Sequence, residues 1–141
     1  MAERKHALLT ASGAHRWMNC PPSARLEETL PDSTSEYAKE GTLAHSIAEL
    51  KVRKKFLEPM GPKAFNTRMN KLKKDPLYQE EMQTCTEDYL DYITGVSMQY
   101  STRPYMAVEK KLDFSRYVPE GFGTGDCIII GGNTLHVIDY K

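Results

Sequence analysis

The chain lacks long hydrophobic runs and any excess of one charge. No uninterrupted hydrophobic stretch exceeds four residues, as at Cys127-Ile128-Ile129-Ile130, whereas a membrane-spanning helix needs about 20. Lys and Arg number 19, as do Asp and Glu, so no globally basic nucleic-acid module is indicated. The composition, 40% hydrophobic and 27% charged, is typical of a folded domain. Any site for a polyanion must therefore be local.

Cysteine is scarce and follows no disulfide or zinc pattern. Cys20, Cys85 and Cys127 are widely spaced, which favours reduced thiols. The sequence contains no C-x-x-C or H-x-x-x-H pair, so a zinc site is not expected. Residues 1–9 carry charge but show neither an apolar signal core nor a small-residue cleavage site. We therefore expect a single-domain cytoplasmic protein with no membrane segment.

Two long helices are predicted in the first hundred residues. Residues 10–35 are rich in Ser, Thr, Pro, Asn and Asp and predict mostly irregular chain, with a short helix over Ala14–Asn19. Apolar spacing predicts a helix over residues 42–57 with Thr42 as its N-cap. A second helix follows an apolar stripe formed by Tyr78, Met82, Cys85, Tyr89, Tyr92, Ile93, Val96 and Tyr100.

The last third of the chain changes to the alternation of β-strands. Strands are predicted over residues 105–112, Asp126–Ile130 and Leu135–Lys141, with a hairpin signal at Gly131-Gly132-Asn133. The expected fold class is α+β, with N-terminal helices packed on a three-stranded antiparallel meander. Its expected parts are an irregular or helical leading segment (1–41), helices (42–100) and a β-meander (105–141).

Charge is segregated along the chain although the total is balanced. Residues 51–74 contain nine basic residues and one acid, Glu58, whereas residues 75–91 contain six acids and no base. One interpretation is a pair of solvated helix faces that attract one another. The alternative is that the basic segment borders a phosphate backbone. Its candidate DNA-binding residues are Lys51, Arg53, Lys54, Lys55, Arg68, Lys71, Lys73 and Lys74.

Several residues of the types that bind metal ions or take part in catalysis lie in the predicted helices and strands. His45 lies in the first long helix, Asp126 opens the second strand, and Asp139 and Lys141 close the third. Two carboxylates and an imidazole suit Mg²⁺ or Mn²⁺, and such an ion activates water for phosphodiester cleavage. The D-x-K spacing places Asp139 and Lys141 on one strand face.

The hairpin register decides whether the two aspartates can meet. Asp126 and Asp139 share a face only if opposed residue numbers add to an odd total. Pairings of Ile130 with Asn133 and of Ile130 with Leu135 both satisfy this rule, and the second places Asp126 directly opposite Asp139. We expect Ile128, Ile130, Leu135 and Val137 to pack beneath the long helices, with the two aspartates and Lys141 at the open end of that face.

The chain resembles a RecB-like nuclease of the PD-(D/E)XK superfamily, in a branch common in phages and prophages. The resemblance rests on Ser12-Gly13-Ala14-His15-Arg16-Trp17 with Cys20-Pro21, on Gly41-Thr42 with His45 and Glu49, on Gly123-Thr124-Gly125-Asp126, and on Val137-Ile138-Asp139-Tyr140-Lys141. It implies the N-terminal portion of a restriction-endonuclease-like α/β core, truncated at the D-x-K motif, before a helix with Q-x-x-x-Y and a further strand.

The resemblance also implies roles for individual residues. His45, Asp126, Asp139 and the carbonyl of Tyr140 would hold Mg²⁺ or Mn²⁺, with Asp126, Asp139 and Lys141 catalytic and with Glu49 and Glu109 in support. Cys20 fits the first ligand of the iron-sulfur cluster that some relatives carry, but no cluster is expected in these 141 residues.

The function expected from these roles is a metal-dependent deoxyribonuclease, an exonuclease of phage DNA recombination or repair. Its partners would be DNA and phage recombination proteins, in the cytoplasm of a bacterial host. The alternative is a non-catalytic DNA-binding or interaction module that retains the fold. Metal-independent DNA binding that survives loss of Asp126 would favour this alternative.

Overall fold

Five helices and three strands follow one another in a computed structural model that describes residues 7–31 and 35–141. Most of the charged N-terminal segment, in which no signal sequence is expected, lies outside the described residues. In chain order the elements are α1 (Ala14–Asn19), α2 (Pro22–Glu27), α3 (Glu36–Val52), a π-helical turn (Arg53–Leu57), α4 (Pro62–Lys73), α5 (Glu81–Met98), β1 (Tyr105–Asp113), β2 (Phe122–Gly131) and β3 (Thr134–Ile138).

The fold class is α+β, as predicted. Helices pack on a three-stranded antiparallel sheet in the order β1-β2-β3. None of the helices in the described part of the chain is long and apolar enough to cross a membrane.

The chain divides into two compact units. The first comprises residues 1–33 and 111–124, and the second comprises residues 34–110 and 125–141. In the first unit, the Trp17 indole N–H donates to the Thr10 carbonyl at 2.8 Å. The second unit contains α3, α4, α5 and the β2–β3 hairpin, and it holds every residue of the site described below.

Helix α3 begins one and a half turns earlier than predicted. Ser35 is its N-cap, since the Ser35 hydroxyl accepts the Ala38 N–H at 3.2 Å. The predicted N-cap, Thr42, instead donates its hydroxyl to the Ala38 carbonyl within the helix, at 2.9 Å. The helical path ends at Leu57 because Pro59 disfavours helical geometry at Glu58, which adopts φ −123°.

The apolar stripe of α5 is rotated slightly from the predicted one. Met82, Ile93 and Val96 are buried as expected, but Cys85 and Tyr92 are exposed. Thr86 and Leu90 are buried in their place. A buried threonine is tolerated because its hydroxyl donates to the Met82 carbonyl at 2.6 Å.

The hairpin adopts one of the two registers that the prediction allowed, with Ile130 opposite Leu135. Gly131 pairs with Thr134, which leaves a two-residue turn in which Gly132 has φ +54°. Such left-handed geometry favours glycine. Strand β3 ends at Ile138, so Asp139, Tyr140 and Lys141 lie beyond the strand and not within it as predicted.

The prediction of the covered sheet face was wrong for three of its four apolar residues. Ile130, Leu135 and Val137 are 44%, 60% and 61% exposed, whereas Ile128 is buried as predicted. On the opposite face, Cys127 and Ile129 are fully buried. The core that includes Cys127 and Ile129 is completed by Val52, Leu90, Ile93, Val96 and Val108. Four consecutive apolar residues in β2 offer an apolar surface on both faces, so the sequence pattern there could not identify the covered one.

Candidate functional site

Three side chains from three different elements converge in the second unit. His45 comes from α3, Glu109 from β1 and Asp126 from β2. Each offers one ligand atom, and these atoms all lie within 4.8 Å of one another. The sequence resemblance implied only a supporting role for Glu109, yet its carboxylate belongs to this group. Among the described residues, Asp139 lies outside the group.

The spacing and chemistry of this group suit a divalent ion. His45 Nδ1 lies 3.3 Å from Asp126 Oδ2. Adjacent ligands of an octahedral ion with bonds of 2.0–2.1 Å are about 3 Å apart. Two carboxylates and an imidazole are also donors that Mg²⁺ and Mn²⁺ accept. The three residues therefore fit the metal that the sequence predicts.

Glu109 has a backbone conformation that is rare for a side chain with a Cβ atom. Its φ is +51°, in the left-handed region, although it lies within β1. Such geometry costs about 1–3 kcal/mol and persists where surrounding structure enforces it. Regular strand geometry does not predict this backbone conformation. The sequence pattern alone therefore did not identify Glu109 as a candidate metal ligand.

The carboxylate of Asp126 is held by its neighbours. Its Oδ2 accepts the Tyr140 N–H at 2.8 Å, and its side chain is 14% exposed. Burial raises the pKa of Asp126, the Tyr140 N–H and His45 oppose that increase, and the neighbouring carboxyl of Asp139 adds to it. A raised pKa means that the ionised carboxylate is poorly compensated by the protein alone, as expected where a cation completes the site.

Burial also raises the pKa of Glu109, and repulsion from Glu49 and Asp126 adds to this effect. Because the pKa is raised on folding, the stability contributed by Glu109 is present below its unfolded pKa of about 4.3. That stability is lost as the pH rises through the folded pKa. At neutral pH the metal-free protein thus carries a destabilising charge at this position.

We expect Glu109→Gln to stabilise the metal-free protein at pH 7 by less than about 1 kcal/mol, since solvent screens this exposed carboxylate. The gain should disappear below about pH 4, where the wild-type carboxyl is itself protonated. Urea unfolding in EDTA at the two pH values measures this. Asp88→Asn, at an exposed position in the middle of α5, is the control. A gain of equal size at both pH values would contradict the electrostatic explanation.

Asp139, Tyr140 and Lys141 lie next to the three-residue group. Lys141 Nζ is 3.4 Å from Asp139 Oδ2, and its side chain is 88% exposed. The Tyr140 backbone reaches the site through its N–H bond to Asp126. The D-x-K motif therefore places a second aspartate beside Asp126 and an ammonium group beside that second aspartate.

Two tyrosine rings line the site. The sequence assigned Tyr140 to it only through the backbone carbonyl, and it did not assign Tyr89. The Tyr140 ring makes edge-to-face contacts with His45 and with Tyr89, each with ring centres 5.2 Å apart. Burial raises the pKa of Tyr89, and nearby Cys127 and Asp126 raise it further, so its phenol stays protonated. Tyr89 lies on the apolar stripe of α5, and nothing in its spacing distinguishes it from a core residue. Both rings line a cavity of about 10 Å³ with His45, Glu109 and Asp126, a volume suited to a single ion or water.

The remaining predicted residues occupy several different environments. Glu49 lies in an ion pair with Arg53 at 2.6 Å, and Arg53 and Arg68 both approach Glu58. Lys51 is buried and pairs with Glu87 at 2.9 Å. This pair joins the basic and acidic segments, as the interpretation of attracting helices expected. Lys51, Lys54, Lys55 and Lys73 line one pocket, and Arg53, Arg68 and Lys71 line another.

The three cysteines differ in their exposure to solvent. Cys20 and Cys85 are exposed, whereas Cys127 is buried. Burial, with a contribution from Asp126, raises the pKa of Cys127 to about 11. This thiol therefore stays protonated at neutral pH, unlike a metal-binding thiolate.

Comparison with known proteins identifies a family but no structural relative. No solved structure matches the chain. Residues 6–141 match the family described as "Protein of unknown function (DUF2800)". This match covers nearly the whole sequence, including every residue of the site, and the chain belongs to the DUF2800 family.

Proposed function

We propose that the chain carries the metal centre of a Mg²⁺- or Mn²⁺-dependent deoxyribonuclease of the RecB-like PD-(D/E)XK type. The observation that carries the proposal is the convergence of His45, Glu109 and Asp126 within 4.8 Å, with Lys141 and Asp139 beside them. The sequence resemblance adds the role of an exonuclease in phage recombination or repair, acting in the cytoplasm of a bacterial host.

The residues divide the chemistry among them. His45, Glu109 and Asp126 would hold the ion, which when bound lowers the pKa of a water molecule and neutralises charge on a phosphate. The Tyr140 N–H fixes the orientation of the Asp126 carboxylate. Lys141, held by Asp139, would donate a hydrogen bond to the attacking water or to a phosphate oxygen. The rings of Tyr89 and Tyr140 line the metal cavity and limit the access of solvent to it.

A cleft beside the metal centre offers space for the substrate. It has a volume of about 360 Å³ and is lined by His45, Tyr140 and Lys141, with Tyr37 and Gln79 at its other side. The ring of Tyr37 is 85% exposed, so one face is free to stack on a nucleobase. A strand that enters this cleft would bring a phosphate next to Lys141 and His45.

We expect the protein to cleave DNA with Mn²⁺ or Mg²⁺ and to lose this activity in EDTA. End-labelled single-stranded and double-stranded DNA, followed on denaturing gels, measures the cleavage and its polarity. Calorimetry with Mn²⁺ alone measures occupancy of the centre independently of any substrate. Absence of both Mn²⁺ binding and cleavage would contradict the proposal.

The second candidate is a DNA-binding module without catalysis. It is favoured by the exposed lysines of the basic segment, such as Lys55 and Lys74. DNA binding that is unchanged by EDTA and by Asp126→Ala, without cleavage, would support this candidate. Its affinity should fall with salt, because binding releases counterions from the phosphates.

A further inference from the structure

A larger pocket lies on a different part of the second unit. It is bounded by the end of α3, the π-helical turn, α4 and α5, and its volume is about 550 Å³. None of the residues that line it lines the cavity of the metal centre. Its volume is within the range of about 300–1,000 Å³ typical of sites for small molecules.

The pocket collects positive charge. Four ammonium groups line it, from Lys51, Lys54, Lys55 and Lys73, against a single acid, Glu87. Among the described residues, Glu87 forms its ion pair with Lys51. The other three lysines form no ion pair with any described carboxylate. The positive charge of the pocket is therefore mostly uncompensated, which favours an anionic ligand.

The Lys51 side chain is the lysine of this pocket that is held in place by hydrogen bonds. It is 7% exposed, and its Nζ donates to the Gln83 carbonyl and to Glu87 Oε2, both at 2.9 Å. An ammonium group has three donors, so these two bonds leave one for a ligand. Because its side chain is immobilised, Lys51 loses little conformational entropy when a ligand binds.

The π-helical turn brings further lysines to the same pocket. It is closed by the Glu58 N–H, which donates to the Arg53 carbonyl five residues earlier at 2.6 Å. Lys54 and Lys55 belong to this turn and follow Lys51 by three and four residues. Short π-helical segments are frequent at functional sites, and this one directs two ammonium groups to one cavity.

Helix α4 supplies neutral hydrogen-bonding groups and an apolar floor. Asn66, Asn70 and Lys73 also line the pocket, and their spacing places them on one face of α4. Phe65 and Met69, with Leu90 of α5, form the apolar floor. The Lys54 Nζ lies 3.9 Å from the centre of the Phe65 ring. The pocket thus combines cations, amides and a half-buried aromatic ring.

We infer that this pocket binds a nucleotide, with the lysines on its phosphate and the apolar floor against its base. Ammonium groups bind phosphate oxygens through charge-assisted hydrogen bonds, and a planar base stacks on aromatic and apolar side chains. The ligand is either a free nucleotide or the phosphorylated end of a DNA strand. The inference rests on this pocket and does not require the proposed nuclease activity.

Binding should be measured with deoxyadenosine monophosphate, with deoxyadenosine, and with a short 5′-phosphorylated oligonucleotide, each titrated calorimetrically in EDTA. EDTA removes divalent ions, so failure of the metal centre does not affect the result. We expect the monophosphate or the oligonucleotide to bind, and the nucleoside to bind at least tenfold more weakly, because it lacks the phosphate. Tighter binding of the monophosphate would identify a free nucleotide as the ligand, and binding of the oligonucleotide alone would identify a strand end.

Lys54→Ala and Lys73→Ala should each weaken binding about tenfold or more. Lys63→Ala is the matched control, because it removes the same charge from an exposed position of α4 that does not line the pocket. It should change affinity less than twofold. Lys51 is left unchanged, since its loss would leave Glu87 without its partner. Equal weakening by all three variants, equal affinity for the nucleoside, or no binding of either phosphate probe at millimolar concentration would overturn the inference.

Discussion

Asp126→Asn is expected to lower Mn²⁺-dependent DNA cleavage by about 10³-fold, the upper range for loss of one preorganised electrostatic contact. Asp126 contacts His45 at 3.3 Å and accepts the Tyr140 N–H, so it lies at the centre of the proposed metal site. An amide of the same shape preserves the packing but removes the charge that attracts the ion. Mn²⁺ affinity, measured by calorimetry, should fall together with the cleavage rate.

The stability of metal-free Asp126→Asn shows whether the substitution removes only the metal site or also disrupts the fold. Because burial raises the pKa of Asp126, its stabilising contribution is present below its unfolded pKa of about 3.9 and is lost as the pH rises through the folded pKa. The neutral amide should therefore leave the metal-free protein at least as stable as the wild type at pH 7. In Mn²⁺ only the wild type should gain stability, because binding to the folded state alone stabilises it.

Asp91→Asn provides the matched control, since Asp91 is an exposed carboxylate on α5. Its cleavage rate and Mn²⁺ affinity should stay within twofold of the wild type. Asp139→Asn should also abolish cleavage if Asp139 acts as the sequence resemblance implies. Full activity of Asp126→Asn would end the nuclease assignment, whatever the control shows.

The hairpin shows what local sequence can determine about the site. Gly132 is the one residue of the turn with positive φ, at +54°, and glycine adopts it without steric cost. The Gly-Gly-Asn signal thus predicted a hairpin, and the need to bring Asp126 and Asp139 to one face restricted its register to two alternatives. One of these two is the observed register. Turn chemistry and side-chain alternation are local properties, so they can be read from consecutive residues.

Two other features could not be read from the local pattern in this way. The start of α3 at Glu36 depends on a cap by Ser35, yet Thr42 is also a favoured capping residue by type. Glu109 joins His45 and Asp126 with a φ of +51°, which strand propensity disfavours. In both cases the surrounding structure decides between local alternatives.

The choice between the two faces of β2 is the third such feature, and it leads to a large expected effect on stability. Ile129 is fully buried against α3 and α5, whereas its neighbour Ile130 is 44% exposed. Both are isoleucines in the same strand, so their intrinsic strand propensities are equal. Only their burial differs, which makes them a matched pair.

Ile129→Ala is expected to lower the free energy of unfolding by about 3–4 kcal/mol, through lost apolar burial and the cavity left behind. Ile130→Ala should cost less than about 1 kcal/mol, mostly through strand propensity. Urea unfolding, compared at equal m-values, measures both differences. The reverse order would mean that the helices cover the face of Ile128, Ile130 and Val137. The Cys127 thiol, on the same face as Ile129, would then lie away from the α5 residues Leu90 and Ile93, with which it shares a core.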